Sequence, residues 1–566
     1  MRKRERNHHG KILRIIAYAL LFLCSSYSFA QISCNFEIST STSEVINPVL
    51  EPGDTLCLLA GVRGPLYLKG IIGTADKPIV IINKGGQSII DSELAYGIKF
   101  AECEHVLLSG SGDSNSEYGI LIRQVTNGNG ISITAKSTDF ELEKLEISNV
   151  LHAGIVAKTD PNCLYLADRD NFTMYNVSIH DNYIHDIGTE GMYIGSSFFL
   201  GQYIESCDEN FLPHIIDGVK IFNNRVEYTG WDGIQVGSAL NNCDVHDNQI
   251  YKDSQAEVSY QMSGIIINTG SSCNVYNNKI IDGKGTGIMM LSTGGQKVFN
   301  NLIVNAGRTY DFANQETKQQ FGIFCNYQYI QAPDSSFHFY NNTIINPKSD
   351  GIRFMNEHSD GNQVINNIII NPGTYEYYEN LGSVNYVARD SYVHNYLDVA
   401  RITVFNNIFE RSSKDQFFHD TLTLDYHLTN KSSLAINKGF NLSNQNISFD
   451  IDNLARPFDV EFDIGAYEYQ MITDIFDPIN EADKITLAPN PTTTDKIEMR
   501  FELDKAQSLS IKLVSMEGKE ITLIQDESFH QGSNTKNLSL VNLPSGSYAL
   551  ILFNKSFHIV KKIQKL

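Results

Sequence analysis

One short motif recurs along the middle of the chain and constrains its fold more than any other feature of the sequence. The motif reads apolar, any residue, Asn or Asp, Asn, any residue, apolar, as in residues 245–250. Its copies place their second Asn at Asn182, Asn224, Asn248, Asn278, Asn301, Asn342, Asn367 and Asn407. The shortest spacings are 23–25 residues, and longer ones leave room for insertions. A repeat of this length predicts a solenoid, in which each unit stacks on the one before it.

A glycine followed by an apolar residue is the second landmark of each repeat. It occurs at Gly97, Gly119, Gly154, Gly191, Gly233, Gly264, Gly287, Gly322 and Gly351. Each glycine opens a short stretch with apolar residues two apart, such as Ile265 and Ile267, which is the pattern of a β-strand. We therefore expect coils of short strands that stack in parallel about 4.8 Å apart. The asparagine amides can then hydrogen-bond from coil to coil, and glycine would serve a corner with positive φ.

These repeats predict an all-β chain whose main domain is a right-handed parallel β-helix of about 11–12 coils, over roughly residues 45–412. The right hand follows from the usual rule for parallel crossover connections. A leucine-rich repeat is disfavoured because its leucine template is missing. A propeller is disfavoured because each blade needs roughly 40 residues with hairpin turns.

The first 30 residues have the layout of a secretory signal peptide. Basic residues precede an apolar run at residues 15–24, and Ser28-Phe29-Ala30 is a small-x-small ending. We expect cleavage after Ala30, with residues 1–30 removed. The rest of the chain has no transmembrane segment, because a membrane anchor needs about 20 apolar residues.

The cysteines of the exported chain are even in number once Cys24 leaves with the signal peptide, which permits disulfides. Cys34–Cys57 and Cys163–Cys207 are the predicted pairs. The other four suit buried, small hydrophobic positions about as well as disulfides.

The net charge of −21 excludes several classes of partner. Nucleic acids and anionic membranes need clustered cations on the protein, so we expect neither as a partner. A polyanionic glycan would also be repelled unless bound cations intervened.

The C-terminal segment, residues 486–566, differs from the repeats. Short alternating stretches separated by turns predict a small antiparallel β-sandwich, joined to the β-helix domain by a linker at residues 471–485. Pro489-Asn490-Pro491, the turn Leu543-Pro544-Ser545-Gly546 and the basic chain end resemble the type A sorting domain of type IX secretion. The resemblance implies that residues 486–566 engage the secretion machinery. It also implies a secreted or outer-membrane-surface location.

The β-helix domain, residues 31–470, resembles the pectin-lyase-like superfamily. Residues 73–81 resemble the first coils of that group, and residues 463–469 (Asp-Ile-Gly-Ala-Tyr-Glu-Tyr) resemble a closing segment of secreted bacterial β-helix proteins. We expect residues 413–470 to form a capping segment over the last coil, because an open coil is a sheet edge. Members of this superfamily are often polysaccharide lyases or glycoside hydrolases. The Asp-Asp pair and Gly-His-Gly of polygalacturonases are absent here, so no activity carries over residue by residue.

Insertions in consecutive coils mark the candidate site, at residues 159–171, 196–213 and 253–260. In this zone Glu190 and Asp232 each directly precede the glycine landmark of their coil. Equivalent positions in adjacent coils lie roughly 5 Å apart. Such a carboxylate pair suits a general acid with a nucleophile or base, as in a retaining glycosidase. It equally suits a calcium site, and the bland alternative is a pair of solvated turn acids.

Groups suited to binding a sugar surround this pair. Trp231 directly precedes Asp232, and Tyr193 and Gln235 share an outward position in adjacent coils, with Arg353 further along the same stripe. Aromatic rings and amides fit the apolar faces and hydroxyls of sugars. His180 and His246, by contrast, occupy a slot that elsewhere holds Phe or Tyr. We therefore interpret them as members of an aromatic ladder.

The leading functional hypothesis is a secreted carbohydrate-active β-helix protein that cleaves a polysaccharide by glycoside hydrolysis, with Glu190 and Asp232 as catalytic residues. Tyr193, Trp231, Gln235 and Arg353 are the predicted substrate-binding residues. One alternative is a calcium-dependent polysaccharide lyase. Calcium is the one cofactor considered, and no metal ligands are assigned. A third hypothesis, of a different class, is a non-catalytic surface protein for glycan binding or adhesion.

Overall fold

The computed structural model describes residues 33–292, 294–310, 319–326, 336–355, 359–373, 392–398, 400–412, 417–469, 485–503, 506–515, 520–541, 543–544, 546–554 and 557–565. The predicted signal peptide, and all of the predicted linker except Ile485, lie outside these ranges. The chain divides into two compact units after Tyr469. Among the described residues, no helix is long and apolar enough to span a bilayer.

The first unit is a parallel β-helix made of two long sheets, which we call sheet A and sheet B. Sheet A has 23 strands and sheet B has 12, all paired in parallel with the strand one coil away. The 12 strands of sheet B confirm the predicted number of coils. The first coil begins at the strand Phe36–Ile38, earlier than expected.

In each coil the chain crosses sheet A twice and sheet B once. The asparagine corner separates the two crossings of sheet A, and the two long strands Thr55–Arg63 and Ile79–Ser92 span both of them. The strands before the corner are Phe36–Ile38, Thr55–Arg63, Ile79–Ser92, Glu104–Ser109, Thr138–Glu143, Thr173–His180, Ile215–Phe222, Ala239–His246, Cys273–Tyr276, Gln296–Phe299, Phe337–Tyr340, Asn362–Ile365 and Ile402–Phe405. Those after it are Ile120–Val125, Leu145–Val150, Tyr183–Ile187, Arg225–Thr229, Gln249–Tyr251, Lys279–Ile281, Leu302–Val304, Thr343–Ile345, Ile368–Ile370 and Ile408–Glu410.

Sheet B carries the glycine landmarks except Gly119, which precedes the sheet A strand Ile120–Val125. Its strands are Glu44–Ile46, Leu66–Lys69, Tyr96–Ala101, Asn129–Thr134, Ile155–Ala157, Met192–Ile194, Ile234–Val236, Ser263–Ile267, Thr286–Met290, Ile323–Cys325, Ile352–Phe354 and Val393–Asn395. Alternate side chains point into the coil, so that Ile265, Ile288 and Ile323 stack as fully buried neighbours. The inward residues of all coils form one continuous apolar column.

The asparagine ladder is present as predicted. The Nδ2 of Asn248 donates to the Oδ1 of Asn278 at 3.0 Å, and Asn278 donates in the same way to Asn301 at 3.0 Å. The same bond links every consecutive pair from Asn182 to Asn407. These buried amides satisfy one another and the backbone at a tight corner.

The predicted role of the glycines was wrong. Positive φ falls on the residue before each ladder asparagine, such as Asp247 and Asn277, both at φ 54°. Short Asx side chains tolerate that conformation. A Cβ at Gly191 would instead lie 2.5 Å from the carbonyl oxygen of Gly233 in the next coil. Glycine is therefore required because the coils approach closely there, not because of its backbone angles.

The predicted aromatic ladder is also present. His180 stacks on Phe222 with ring centroids 4.5 Å apart, and His246 stacks between Phe222 and Tyr276, at 4.6 Å from the latter. The near-parallel rings occupy one position in successive coils, which confirms both histidines as ladder members.

The segment 417–469 lies along the side of the β-helix and reaches the last coil at the asparagine corner, where Asn406 donates to the carbonyl oxygen of Lys438 at 2.6 Å. Asn300 and Asn341 donate their side-chain amides to the carbonyl oxygens of Phe449 (2.7 Å) and Asp463 (2.9 Å). Val404 and Phe405 in the last coil stay 45% and 50% exposed. The segment contains the paired strands Phe418–Asp420 and Asp425–Leu428. Within residues 417–469, the segment thus covers the flank of the asparagine corner and leaves these two residues of the last coil partly exposed.

The motif at residues 463–469 stabilises the segment 417–469 through buried polar contacts. The guanidinium of Arg456 is fully buried, 3.2 Å from the Glu468 carboxylate, and donates to the carbonyl oxygens of Asp463 and Gly465. The Asp463 and Glu468 carboxylates accept backbone N–H groups in turn. Each buried charge is hydrogen-bonded, as burial requires.

The first unit contains three disulfides. The two predicted pairs, Cys34–Cys57 and Cys163–Cys207, are formed. Cys243–Cys273 is a third, which links adjacent strands of sheet A and which the spacing alone did not single out. Short 3-10 turns occur at Glu205–Cys207, Tyr396–Asp398 and Ser443–Gln445.

The second unit contains two antiparallel sheets, as predicted. One consists of Ile485–Ala488, Lys496–Leu503 and Gly532–Ser539, and the other of Gln507–Ser515, Glu520–Phe529, Gly546–Asn554 and Phe557–Lys565. Their inward residues, including Phe501 and Leu550, share one core. This is the packing of a small β-sandwich.

Candidate active site on sheet B

Two insertions form a lobe beside the central coils of sheet B. The insertion at residues 196–213 contains the hairpin Gln202–Ile204 and Glu209–Phe211. The Cys163–Cys207 disulfide ties it to the insertion at residues 159–171, and the N–H of Arg169 donates to the carbonyl oxygen of Leu212 at 2.9 Å. The expected clustering of insertions thus produces a cross-linked wall.

Glu190 and Asp232 occupy the same corner of consecutive coils. The N–H of Gly154 donates to the carbonyl oxygen of Glu190, and that of Gly191 donates to the carbonyl oxygen of Asp232, both at 3.0 Å. Glu190 is 4% exposed and Asp232 is fully buried. The two acids are therefore stacked neighbours, but neither lies open on the surface.

Burial raises the pKa of Asp232 well above its usual value, and the charges of Glu190 and Asp253 raise it further. The hydroxyl of Ser263 donates to its Oδ1, which offsets part of that effect. Its Oδ2 has no hydrogen-bond partner among the described residues. These surroundings favour a protonated Asp232.

Burial also raises the pKa of Glu190, although the nearby Lys158 and His152 charges lower it in part. The ammonium of Lys158 lies 2.9 Å from the Asp160 carboxylate and 4.7 Å from the centre of the Tyr193 ring. Burial lowers the pKa of Lys158, but Tyr193, Asp160 and Glu190 together raise it above its usual value. Lys158 is thus a cation at neutral pH and a poor base.

Asp253 is a third acid of the site that the glycine landmark could not reveal. It follows the sheet A strand Gln249–Tyr251 and begins the insertion at residues 253–260. Its Oδ1 accepts a 2.6 Å hydrogen bond from Ser254, and its Oδ2 has no partner among the described residues. Burial raises its pKa to about 6. The sequence signal was an Asp-Ser pair at the start of an insertion.

The predicted substrate-binding residues differ in how exposed they are and in whether their polar groups are already paired. Tyr193 and Gln235 pair across adjacent strands of sheet B, as expected. Tyr193 and Trp231 are half-buried, whereas Gln235 is only 3% exposed. Arg353 lies four strands beyond Gln235 in the same outward column. Its Nε is 2.6 Å from the Asp350 carboxylate, so its charge is already paired there.

The clusters of side chains that could bind a metal ion lie away from the Glu190 and Asp232 pair. Within the part of the chain that the structure describes, groups of three or more possible ligands lie on sheet A. They are Glu104, His105 and Asp139, and Glu141, Glu143 and His180. The Glu190 and Asp232 pair belongs to neither group.

Two family models match the chain. Residues 216–395 match the right handed beta helix region, and residues 486–565 match the secretion system C-terminal sorting domain. The chain is therefore a right-handed parallel β-helix protein with a C-terminal sorting domain. That domain directs it through type IX secretion to the cell surface or the extracellular space.

Several solved structures are similar to this chain at low identity. Pectate lyase Pel9A is 12% identical, with a TM-score of 0.38, and the match covers 74% of this chain and 89% of that one. The mannuronan C-5 epimerase AlgE6 A-module from Azotobacter vinelandii is 12% identical, with a TM-score of 0.30 and coverage of 64% and 91%. A rhamnogalacturonan lyase is 13% identical, with a TM-score of 0.29 and coverage of 66% and 84%. No curated protein matches the chain.

Proposed function

We propose that the protein is a secreted carbohydrate-active enzyme that hydrolyses a polysaccharide lying along sheet B. Glu190 is the general acid, and Asp232 is the second carboxylate, acting as nucleophile or base. Tyr193 and Trp231 contact the sugar beside them. The observation that carries this proposal is the stacking of two carboxylates with raised pKa values beside a disulfide-linked wall.

Glu190 suits proton donation because burial raises its pKa and so favours the protonated form that a general acid needs. The Lys158 ammonium interacts electrostatically with Glu190 and lies 4.7 Å from the centre of the Tyr193 ring. Asp232 is fully buried, so a conformational change must expose it before it can react. The insertion at residues 253–260 covers it through hydrogen bonds from the N–H groups of Ser254 and Gln255 to the carbonyl oxygens of Trp231 and Thr229, each 2.9 Å. A glycan that displaces the first residues of this insertion, Ser254 and Gln255, exposes the carboxyl group to water. Exposure lowers the pKa of Asp232 and leaves it ionised, which the role of nucleophile or base requires.

A polysaccharide panel tests the proposal, with products measured as new reducing ends and as ultraviolet absorbance. Hydrolysis yields reducing ends without absorbance. Glu190→Gln and Asp232→Asn should each lower turnover at least about 100-fold. The matched control is Glu205→Gln, an exposed acid in the neighbouring insertion, which should leave turnover unchanged. Full turnover by Glu190→Gln on a cleaved polymer would disprove the assigned role.

The burial of Asp232 favours a second candidate, a non-catalytic glycan-binding or adhesion protein. A carboxyl group with no exposure cannot touch a sugar unless the chain moves. In that case the parent protein would retain a glycan on a column, release no product, and keep its affinity after Glu190→Gln. A lyase would instead give absorbing products and lose activity with a chelator.

A further inference from the structure

A cleft of about 330 Å³ lies on sheet B, further along the column that contains Tyr193 and Gln235. Its floor includes Met289 and Phe324, which pair with each other and follow Ile266 and Gln235 in register. Tyr260, at the end of the insertion 253–260, forms part of one wall. The cleft therefore lies in the same column of sheet B as Tyr193, separated from it by Gln235 and Ile266, which are only 3% and 4% exposed.

The distance between the cleft and the pair can be read from the strand register. Ser263 follows Asp232 at the corner position, and Thr286, which lines the cleft, pairs with Ser263 in the next coil. Two coils correspond to roughly 10 Å. A sugar chain extended along sheet B would reach the cleft within a few rings of the bond placed at Glu190.

The described residues that line the cleft are aromatic or otherwise uncharged. All ten described side chains that line it are neutral, among them Tyr310, Gln320 and Phe321. The rings of Phe321 and Phe324 stack with centroids 5.3 Å apart, and Tyr260 is 95% exposed. Rings and amides together match the apolar faces and the hydroxyls of a sugar.

Among the described residues, two cations lie near the cleft. The Lys348 ammonium is 4.5 Å from the centre of the Tyr310 ring, but Lys348 is only 3% exposed and does not open onto the cleft surface. Arg353 lies next to Phe324 in the column, but its Nε is bound to Asp350 at 2.6 Å and its Nη1 donates to Gln319 at 2.9 Å. A uronic acid in the cleft would bring a carboxylate to a neutral surface of a chain with net charge −21. That carboxylate would lose hydration without gaining an ion pair.

We infer that this cleft is a binding subsite for an uncharged sugar ring, so that the polysaccharide acted on is neutral in this stretch and is not a polyuronate. The inference rests on the proposed function, because it places the same glycan chain at Glu190 and in the cleft. It adds the substrate class and assigns Phe324 and Tyr260 as its recognition residues.

The test is calorimetric binding of defined oligosaccharides to the full-length exported chain carrying Glu190→Gln. The probes are xylohexaose, mannohexaose, cellohexaose and hexagalacturonate. At least one neutral probe should bind at least about tenfold more tightly than hexagalacturonate. Adding Phe324→Ala should weaken that binding about tenfold, because one ring contact is lost.

The control is Phe458→Ala, which removes a 49% exposed ring from the segment 417–469 and should leave affinity unchanged. Circular dichroism and a thermal melt establish whether each variant folds. If Phe324→Ala does not fold, Tyr260→Ala replaces it as the cleft variant. Equal or tighter binding of hexagalacturonate, binding of none of the probes, or unchanged affinity in the cleft variant overturns the inference. Cleavage of the probes by Glu190→Gln would overturn the catalytic assignment instead, so the two failures are distinguishable.

Discussion

The carboxyl group of Asp232 lies one coil away from that of Glu190, and the charge of Glu190 raises its pKa in addition to the effect of burial. Stacking of coils produces this pairing, since residues 42 positions apart in sequence take the same corner. An acid in such a place is best accommodated as a neutral group.

Asp232→Asn should therefore change the free energy of unfolding by no more than about 1 kcal/mol at pH 7, because an amide replaces a carboxyl that is already neutral. Urea unfolding followed by circular dichroism measures it. The matched control is Asp350→Asn at the corner before Gly351, where the buried carboxylate is paired with Arg353. That variant should lose about 3 kcal/mol. A similar loss in Asp232→Asn would mean that Asp232 is ionised.

Asp253 should make stability fall with rising pH. Its pKa is raised from 3.8 to about 6 by burial, so the folded state holds a proton that the unfolded chain releases. The stabilisation is complete below pH 3.8 and is lost as pH rises through about 6. The loss amounts to roughly 3 kcal/mol.

Thermal melts from pH 4 to pH 8 measure this loss. Asp253→Asn should shrink it, while Asp76→Asn, at an exposed acid, should not. Asp463, whose pKa burial also raises to about 6, accounts for part of the remaining slope. An identical slope in the Asp253→Asn variant would contradict the assignment.

The segment 417–469 should loosen as pH rises. His427 lies 2.7 Å from Asp452 and 2.5 Å from Asp425, and Asp452 also pairs with Lys279 of the β-helix at 3.2 Å. The hydrogen bonds to Asp452 and Asp425 raise the pKa of His427, so its stabilisation is complete below the unfolded value and is lost as pH rises through the folded one. Hydrogen exchange in the segment should increase between pH 6 and pH 9 after correction for intrinsic rates. His427→Gln should remove that increase, and His530→Gln should not.

The sequence predicted those features that repeat. Asn248 and Asn278 could be recognised as neighbours because equal spacing in a solenoid puts like residues above one another. The requirement for glycine at position 191 could not be predicted from the sequence. A Cβ there would clash with the carbonyl oxygen of Gly233, and this contact exists only once two coils are stacked. The position of residues 417–469 depends on contacts such as Asn300 with Phe449, which no local pattern encodes. Asp253 was missed because an insertion separates it from its coil's landmark.

The asparagine ladder should contribute measurably to stability at each rung. Asn278→Ala removes the acceptor for the N–H and Nδ2 of Asn248, and it removes the donor to the carbonyl oxygens of Val245 and Tyr276 and to the Oδ1 of Asn301. These buried groups have no access to water, so the variant should lose about 2–4 kcal/mol in urea unfolding.

The control for the ladder is Asn444→Ala at an exposed position, which should change the free energy of unfolding by less than about 0.5 kcal/mol. The damage should also be local to the rung, because each coil contacts only its neighbours. Hydrogen exchange should therefore rise most in the strands Ala239–His246, Cys273–Tyr276 and Gln296–Phe299. Uniform exchange along all coils would show instead that the β-helix unfolds as one cooperative unit, and the ladder would then act on the whole domain rather than on its own rung.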